Sequence, residues 1–562
     1  MLTAMDDNKH QVVDDVINTT YQSGVQDIEA ITISWSKTSL VCAYVLITLI
    51  YLVQALVSGV SGALIPYVTS AFAEHSLTPT TGILSAVIGG VTNLSIAKVL
   101  DIFGRPHGFL VCVVSATIGL IMSAACNNVK AYAASQIFYT VGINGIGYSL
   151  SVFVADTTSL RHRALMQGLV NIPWVVIPWA AGPIAAKFLT GAGWRWAFGM
   201  ESILIPVVTL PLFGLFMYQF NAAKRQGIIP KRESGRTPSE SLLYYIHEFD
   251  VVGLFLLSAG VAFTTLPFNL YTFQAKGFGS PLIIGFLVVG VILLLGFGIW
   301  ERFFAKVSFL PWRILKDRTA FGSCIVSFTL FLSYSCWGLY FTSVLQVVND
   351  LDVAHATYVS QIYPVASIFF AIMTGAIISY TSRYKAVTLY LGLPMAVLGL
   401  GIMIKYHDPD QAIGYIVMCQ IFLAVSGGVI MVGPEIAIMA AAADHQYFAV
   451  SIAVLGMSGS IGSAVGLTIS AAIWQATLPT KLALYLPPDD LPNLAMIYED
   501  IVTQLSFPVG SPTRLAIQHA YGDAQKNMMI TATAVWVVGF ASVIIWRDIN
   551  VAGIKQTKGY VV

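Results

Sequence analysis

The chain is short of charge. Only 10% of its 562 residues are Asp, Glu, Lys or Arg, against roughly 25% in ordinary soluble domains, while 56% are hydrophobic. A water-surrounded globule with so few charges could not cover its own core, so a lipid-facing surface is implied. Neither sign of charge is in excess. Twenty-nine Lys and Arg stand against 28 Asp and Glu, a balance of +1 that gives no reason to expect nucleic acid as a partner. Cysteines are few and scattered: Cys42, Cys112, Cys126, Cys324, Cys336 and Cys419 all fall in apolar stretches, which excludes a disulfide framework or a zinc site. Also lacking are a His-Glu-x-x-His run, a nucleophile elbow and paired acids within apolar runs, so neither an intramembrane enzyme nor a bound cofactor is expected. Residues 1–38 lack the basic start and early apolar run of a secretory leader. They carry Asp6, Asp7, Asp14, Asp15, Asp27 and Glu29, and read as a cytosolic tail.

What the chain has in abundance is long apolar runs. A membrane-crossing helix needs about 20 apolar residues. Runs of that kind lie at 40–66, 77–97, 108–126, 131–155, 164–186, 196–217, 251–275, 277–300, 319–349, 356–382, 386–404, 411–434, 446–477 and 527–546. Fourteen spans are therefore expected, and Glu201 in the sixth is the one charged residue inside them. With the N-terminus inside, 21 of the 29 Lys and Arg fall in cytosolic connections and tails, which sets the orientation. The longest outer connection, 478–526, is rich in proline. It places Leu494, Ile497, Ile501 and Leu505 at helical spacing, so an amphipathic piece is expected on the membrane surface or over the outer mouth.

The connection after span 2 runs from Ala97 through Asp101, Gly104, Arg105 and Pro106. The one after span 10 runs from Gly375 through Ser379, Ser382 and Arg383 at identical spacing. Two six-span halves fit this repeat, with spans 7 and 8 inserted between them, as in many secondary transporters. The expected division is a tail at 1–38, an N-terminal half at 39–217, a cytosolic loop at 218–248, a hairpin at 249–300 and a second cytosolic loop at 301–318. A C-terminal half follows at 319–547, with the outer loop inside it, then a tail at 548–562. Asp101, Gly104 and Arg105 resemble the cytosolic loop signature of the major facilitator superfamily. Pro178, Gly182 and Pro183 resemble the Gly-Pro motif of its proton-driven members, and 193–198, Gly-Trp-Arg-Trp-Ala-Phe, resembles a motif of fourteen-span facilitators. The string from Phe153 through Asp156, Arg161 and Arg163, taken with the loop at 101–107 and the long outer connection, resembles the fungal siderophore–iron transporter family over essentially the whole chain.

That resemblance implies an all-α polytopic fold of fourteen transmembrane helices and proton-driven uptake of ferric siderophores, across the plasma membrane or, alternatively, an endosomal or vacuolar one. The protein would act as a monomer in the lipid bilayer. A ferric siderophore brings its iron already wrapped in oxygen, so a wide cavity with hydrogen-bonding walls is needed rather than metal ligands, and no metal site is expected. In a facilitator core spans 1, 4, 9 and 12 line the path, flanked by 2, 5, 10 and 13. Their polar and aromatic side chains are the substrate candidates: Tyr44, Tyr51, Gln54, Asn144, Tyr148, Asn171, Trp174, Tyr334, Trp337, Tyr340, Gln361, Tyr363 and Gln420. Amides and hydroxyls facing lipid would be costly, so they face protein or water. Glu201, Asp156 and Glu435 are the proton-coupling candidates. Asp101, Gly104, Arg105, Arg161, Arg163, Pro178, Gly182, Pro183 and Arg383 are the gating candidates. Asp156 could instead pair with Arg161 or Arg163. The competing functions are a fourteen-span drug:proton antiporter, a vacuolar glutathione:proton exchanger and a nutrient sensor on a transporter fold.

Overall fold

The computed structural model describes residues 35–72, 78–158, 166–225, 237–271, 274–306, 316–406, 411–441 and 448–550. The apolar runs become helices because a backbone in lipid must satisfy its own hydrogen bonds. In the first half α1 covers Lys37–Ser70, α2 Thr78–Phe103, α3 Arg105–Ala125, α4 Val129–Thr157, α5 Pro178–Thr190 and α6 Trp194–Arg225. The hairpin is α7, Val251–Thr265 with a further turn at Pro267–Leu270, and α8, Pro281–Phe303. In the second half α9 covers Arg318–Gly338, continued by Phe341–Val347, and α10 covers Val353–Thr381. There α11 is Leu393–Lys405, preceded by Tyr384–Val387 and a π-turn at Thr388–Gly392. Finally α12 is Ile413–Ala441, α13 Phe448–Tyr485 and α14 Pro512–Ala534, extended by Trp536–Ile545.

Thirteen of these helices are long and apolar enough to cross a membrane, one fewer than the fourteen spans expected. The difference lies in the fifth run, 164–186. Its described part is helical at 166–170, Pro173–Val176 and Pro178–Thr190, with turns between. Proline has no N–H and crowds the preceding turn, so Pro173 and Pro178 cut one rod into pieces. The outer connection is also shorter than 478–526. Ser511 caps α14 by accepting from the Arg514 amide at 3.2 Å, and α13 runs on to Tyr485, so only 486–511 lies between helices. The amphipathic piece within it is a pair of short helices, Leu494–Glu499 and Ile501–Ser506, whose Ile497 and Ile501 are fully buried. It packs against the C-terminal half and α1 rather than lying free on the membrane.

The halves repeat one neighbour plan. In the first, α2 and α3 pack on α4, α6 on α3 and α1, and α5 on α1; in the second, α10 and α11 pack on α12, α14 on α11 and α9, and α13 on α9. The halves meet where α2 packs on α13 and α5 on α10, two seams that exchange under the same two-fold relation. The matched loops share a positive φ but not a conformation, for ψ is 157° at Gly104 and 19° at Ser382. Gly104 has φ +84° and Ser382 has φ +56°, each at the turn that ends one helix and opens the next.

Small residues bring the helices together. A Cβ on Gly428 of α12 would lie 2.6 Å from the Ala371 nitrogen and the Ser367 oxygen of α10, so the two backbones are in contact. Gly428→Val should therefore strip the folded protein from the membrane, since overpacking of this kind costs about 1–3 kcal/mol or more. Fluorescence-detected size-exclusion of the solubilised variant checks this; a normal monodisperse peak would refute it.

Candidate functional site

On the cytosolic side Gly104 caps the start of α3 with φ +84° and ψ 157°, a conformation open essentially to glycine alone. That turn delivers Arg105, which is 7% exposed, onto the inner end of α4, where its Nε lies 3.5 Å from an Asp156 oxygen. Asp156 thus pairs with Arg105. Arg161 and Arg163 lie outside the described residues, as does the side chain of Asp101. The second half does not copy the pair. Arg383 is exposed and reaches Asp548 at 3.9 Å, next to Arg547, which pairs with Asp317 at 3.2 Å. Glu435 is half-buried beside Pro434 in α12.

The outer side is closed between the halves. A Cβ on Gly182 would sit 3.0 Å from the Thr357 Cβ and 3.2 Å from the Ala354 Cα, so α5 and the start of α10 touch backbone to backbone. Trp179 and Tyr358 meet across the same seam at 5.7 Å between ring centres. Nearby the Tyr67 hydroxyl of α1 donates to Gln346 Oε1 at 2.6 Å. Pro183 follows Gly182 inside α5; nothing is described of the Pro178 side chain beyond its place at the helix start.

Between these two ends the candidate side chains form two groups. In the N-terminal half Tyr44 shares a 2.8 Å hydrogen bond with Thr157, and Tyr51 lies within hydrogen-bonding range of Ser151 and Gln167, whose amide donates to Ser151 Oγ at 2.8 Å. Gln54 and Tyr148 are buried, and the Gln54 amide nitrogen has no partner among the described residues. Asn144 is turned toward Gly89 of α2, where a Cβ would lie 3.2 Å from its Nδ2. Asn171 sits in the break before Pro173 and donates to the Gln167 carbonyl at 2.7 Å; Trp174 packs half-buried behind it.

In the C-terminal half Tyr334, Trp337 and Tyr363 come together. Tyr334 stacks on Tyr363 at 5.1 Å and meets Trp337 edge-on at 5.7 Å. The Tyr363 amide donates to Gln420 Oε1 at 3.1 Å, and Gln361 lies half-buried two residues earlier on the same helix. These rings line a void of about 10 Å³ with Ser426 and Trp536, room for no more than about one water. A large cargo reaches them only once the seam has opened. Tyr340 departs from the expected wall. It is 1% exposed and stacks on Trp474 at 3.9 Å, which in turn meets Tyr521 edge-on at 4.9 Å, inside the packing of α9, α13 and α14. A ring this buried and stacked flat on a buried indole is core, not lining.

Glu201 is fully buried on α6 and faces α1, where the Ser61 hydroxyl donates to its Oε2 at 2.9 Å. Its Oε1 has no hydrogen-bond partner among the described residues. Ser61 was no candidate, nor were Tyr67 and Gln346. Being the one glutamine in the apolar run 319–349 is the signal that could have singled out Gln346.

Residues 47–308 match the Major Facilitator Superfamily. A siderochrome iron transporter of that superfamily from Ajellomyces capsulatus is 46% identical over 549 residues, 98% of this chain and 93% of the relative. One from Aspergillus fumigatus is 40% identical over 96% of this chain and 90% of its own, and a siderophore iron transporter of Emericella nidulans is 39% identical over 96% and 89%. Among solved structures, an auto-inhibited peptide transporter of the POT family aligns with TM-score 0.54 at 13% identity, covering 92% of this chain and 99% of that one. A bacterial homologue of the human lysosomal transporter Spinster, inward-facing and occupied, aligns with TM-score 0.53 at 12% identity, covering 91% and 97%. Those two likenesses speak to fold alone. The full-length relatives go further: the chain belongs to the siderophore–iron transporter family of the major facilitator superfamily.

Proposed function

We propose that this protein carries ferric siderophores inward across a fungal membrane by alternating access, driven by protons. The observation that carries the reading is the near-complete alignment, at 46% identity, with a relative named as a siderochrome iron transporter. The chemistry of the candidate path supports it. A wrapped ferric chelate offers ring faces, carbonyl oxygens and hydroxyls to its carrier, and the clustered rings of Tyr334, Trp337 and Tyr363 with the amide of Gln420 can meet those groups. Iron enters as cargo, already coordinated. Glu201 is the proposed proton carrier, being a buried carboxyl with one hydroxyl donor and one open oxygen. Arg105, Asp156 and the Gly104 turn form the proposed inner latch, and Gly182 with Thr357 the outer seam. The proposed setting is the plasma membrane, with the protein working as a monomer.

The test is uptake of labelled iron, bound to each of several siderophores, in fungal cells stripped of their own carriers, with and without a protonophore. Iron should accumulate only as particular chelates, and the protonophore should abolish accumulation against a gradient. No accumulation with any siderophore would overturn the cargo, and accumulation indifferent to the protonophore would overturn the coupling.

A further inference from the structure

The inserted hairpin is a stiff unit. A Cβ on Gly290 of α8 would lie 2.9 Å from the Phe263 carbonyl carbon and the Thr264 nitrogen of α7. One on Gly260 of α7 would meet the Leu294 side chain at 2.8 Å, so the two backbones are locked together. At the inner membrane edge Asp250 ties the pair again, accepting from Trp300 Nε1 of α8 at 2.8 Å. The outer face of α8 is turned to lipid, while α7 lies against the seam where α2 of one half meets α13 of the other.

The unit is held at both ends, by opposite halves. Inside, it holds α2. It does so directly through α7 and through the short helix Pro238–Glu248 that leads into α7: Lys98 Nζ donates to the Glu248 carbonyl at 2.7 Å, and Phe103 at the foot of α2 packs on Tyr245 at 5.1 Å and on Phe249 at 6.2 Å. Outside, it holds α13. Gln475 Nε2 donates to Asn269 Oδ1 at 2.6 Å and to the Asn269 carbonyl at 2.9 Å, with Asn269 fully buried and Gln475 6% exposed. A buried amide that donates to both oxygens of one residue makes a contact that is costly to break halfway. Between these anchors α2 and α13 pack closely through small residues, for a Cβ on Gly82 of α2 would touch Leu467 at 3.0 Å and one on Gly456 of α13 would reach Asn93 at 3.8 Å.

From these contacts we infer that the hairpin is a strap across the moving seam. It rides with α2 through its several inner contacts, and the Asn269–Gln475 clamp is the one that parts when the outer ends of the halves separate. The clamp therefore holds the outside shut, together with Tyr67 and Gln346. This holds whatever the cargo is.

The test reads opening without cargo. Thr357, 2% exposed against Gly182 at the outer seam, is replaced by Cys in the full chain. The labelling rate with a membrane-impermeant maleimide is then measured on intact cells. Against that background Gln475→Leu, which removes both bonds, should speed labelling roughly three- to tenfold or more, and Asn269→Leu, which keeps the Asn269 carbonyl as an acceptor, by less. The double variant should label no faster than Gln475→Leu alone, and the swap of Asn269→Gln with Gln475→Asn should return the rate toward the parent's. Where Gln475→Leu is depleted from the membrane, Asn269→Ser decides, since it removes the amide with the least change in packing. Unchanged labelling in variants present at normal abundance, or a swap that labels as fast as the Leu variants, would overturn the strap. Failure of siderophore uptake would leave this result standing, and its failure would leave the cargo standing.

Discussion

Replacing Glu201 by Gln should abolish the pH dependence of uptake and reduce transport to equilibration, while the protein still reaches the membrane. Gln has the same shape and its amide oxygen can still accept from the Ser61 hydroxyl, so the contact between α6 and α1 survives. What is lost is the ability to take and release a proton. One proton entering down a potential of 100 mV yields about 2.3 kcal/mol, and each pH unit adds about 1.4 kcal/mol. Together, for an uncharged cargo, they support roughly 500-fold accumulation per proton carried. The variant should lose that whole factor. Uptake measured at two external pH values, normalised to surface protein, gives the answer. A pH dependence equal to the parent's would remove Glu201 from the coupling step and leave it a packing residue.

The second large effect is expected at the inner latch. Asp156→Asn removes the carboxylate 3.5 Å from the Nε of Arg105, which is 7% exposed. Removing one member of a buried pair costs about 3–5 kcal/mol, and the partial exposure of Asp156 puts this case at the low end. Folded abundance should fall in Asp156→Asn and recover at least in part in the double variant with Arg105→Met, because the two charges are then removed together. Uptake should not recover with it, since the double variant has a stable fold but no latch. Abundance and uptake measured side by side separate these outcomes. Recovery of both together would make the pair a folding contact only.

Much of the fold could be read in the sequence, because hydropathy and length decide what crosses a membrane and the Lys and Arg bias decides which way. The spacing match placed Gly104 and Ser382 at helix-to-helix turns with positive φ, though with different ψ. Proline-bearing runs were harder. The run 164–186 is apolar throughout, but hydropathy counts Pro173 and Pro178 like any other residue and cannot say that they break the rod. The outer arm was misjudged for the opposite reason. Arg514, Gln518 and Gln525 make the start of α14 look polar, yet each is buried, with Arg514 donating to Gln504 and Asp350 and Gln518 to the Val347 carbonyl. Local pattern does not reveal that such side chains find partners from distant segments. The same limit applies at the candidate path. Tyr334, Trp337 and Tyr363 do meet, but Tyr340, close by in sequence, turns into the core. The contact of Arg105 with Asp156, on another helix, is likewise set by where the Gly104 turn points.

The account rests on the halves parting at the α5–α10 seam to admit cargo. The most direct test is a disulfide between Gly182→Cys and Thr357→Cys, whose Cβ atoms would stand 3.0 Å apart and need only a small shift to reach bonding geometry. Oxidised protein should import no iron chelate, and reduction should restore uptake to the rate of the unoxidised variant. Cross-linked protein that imports at the reduced rate would contradict the account.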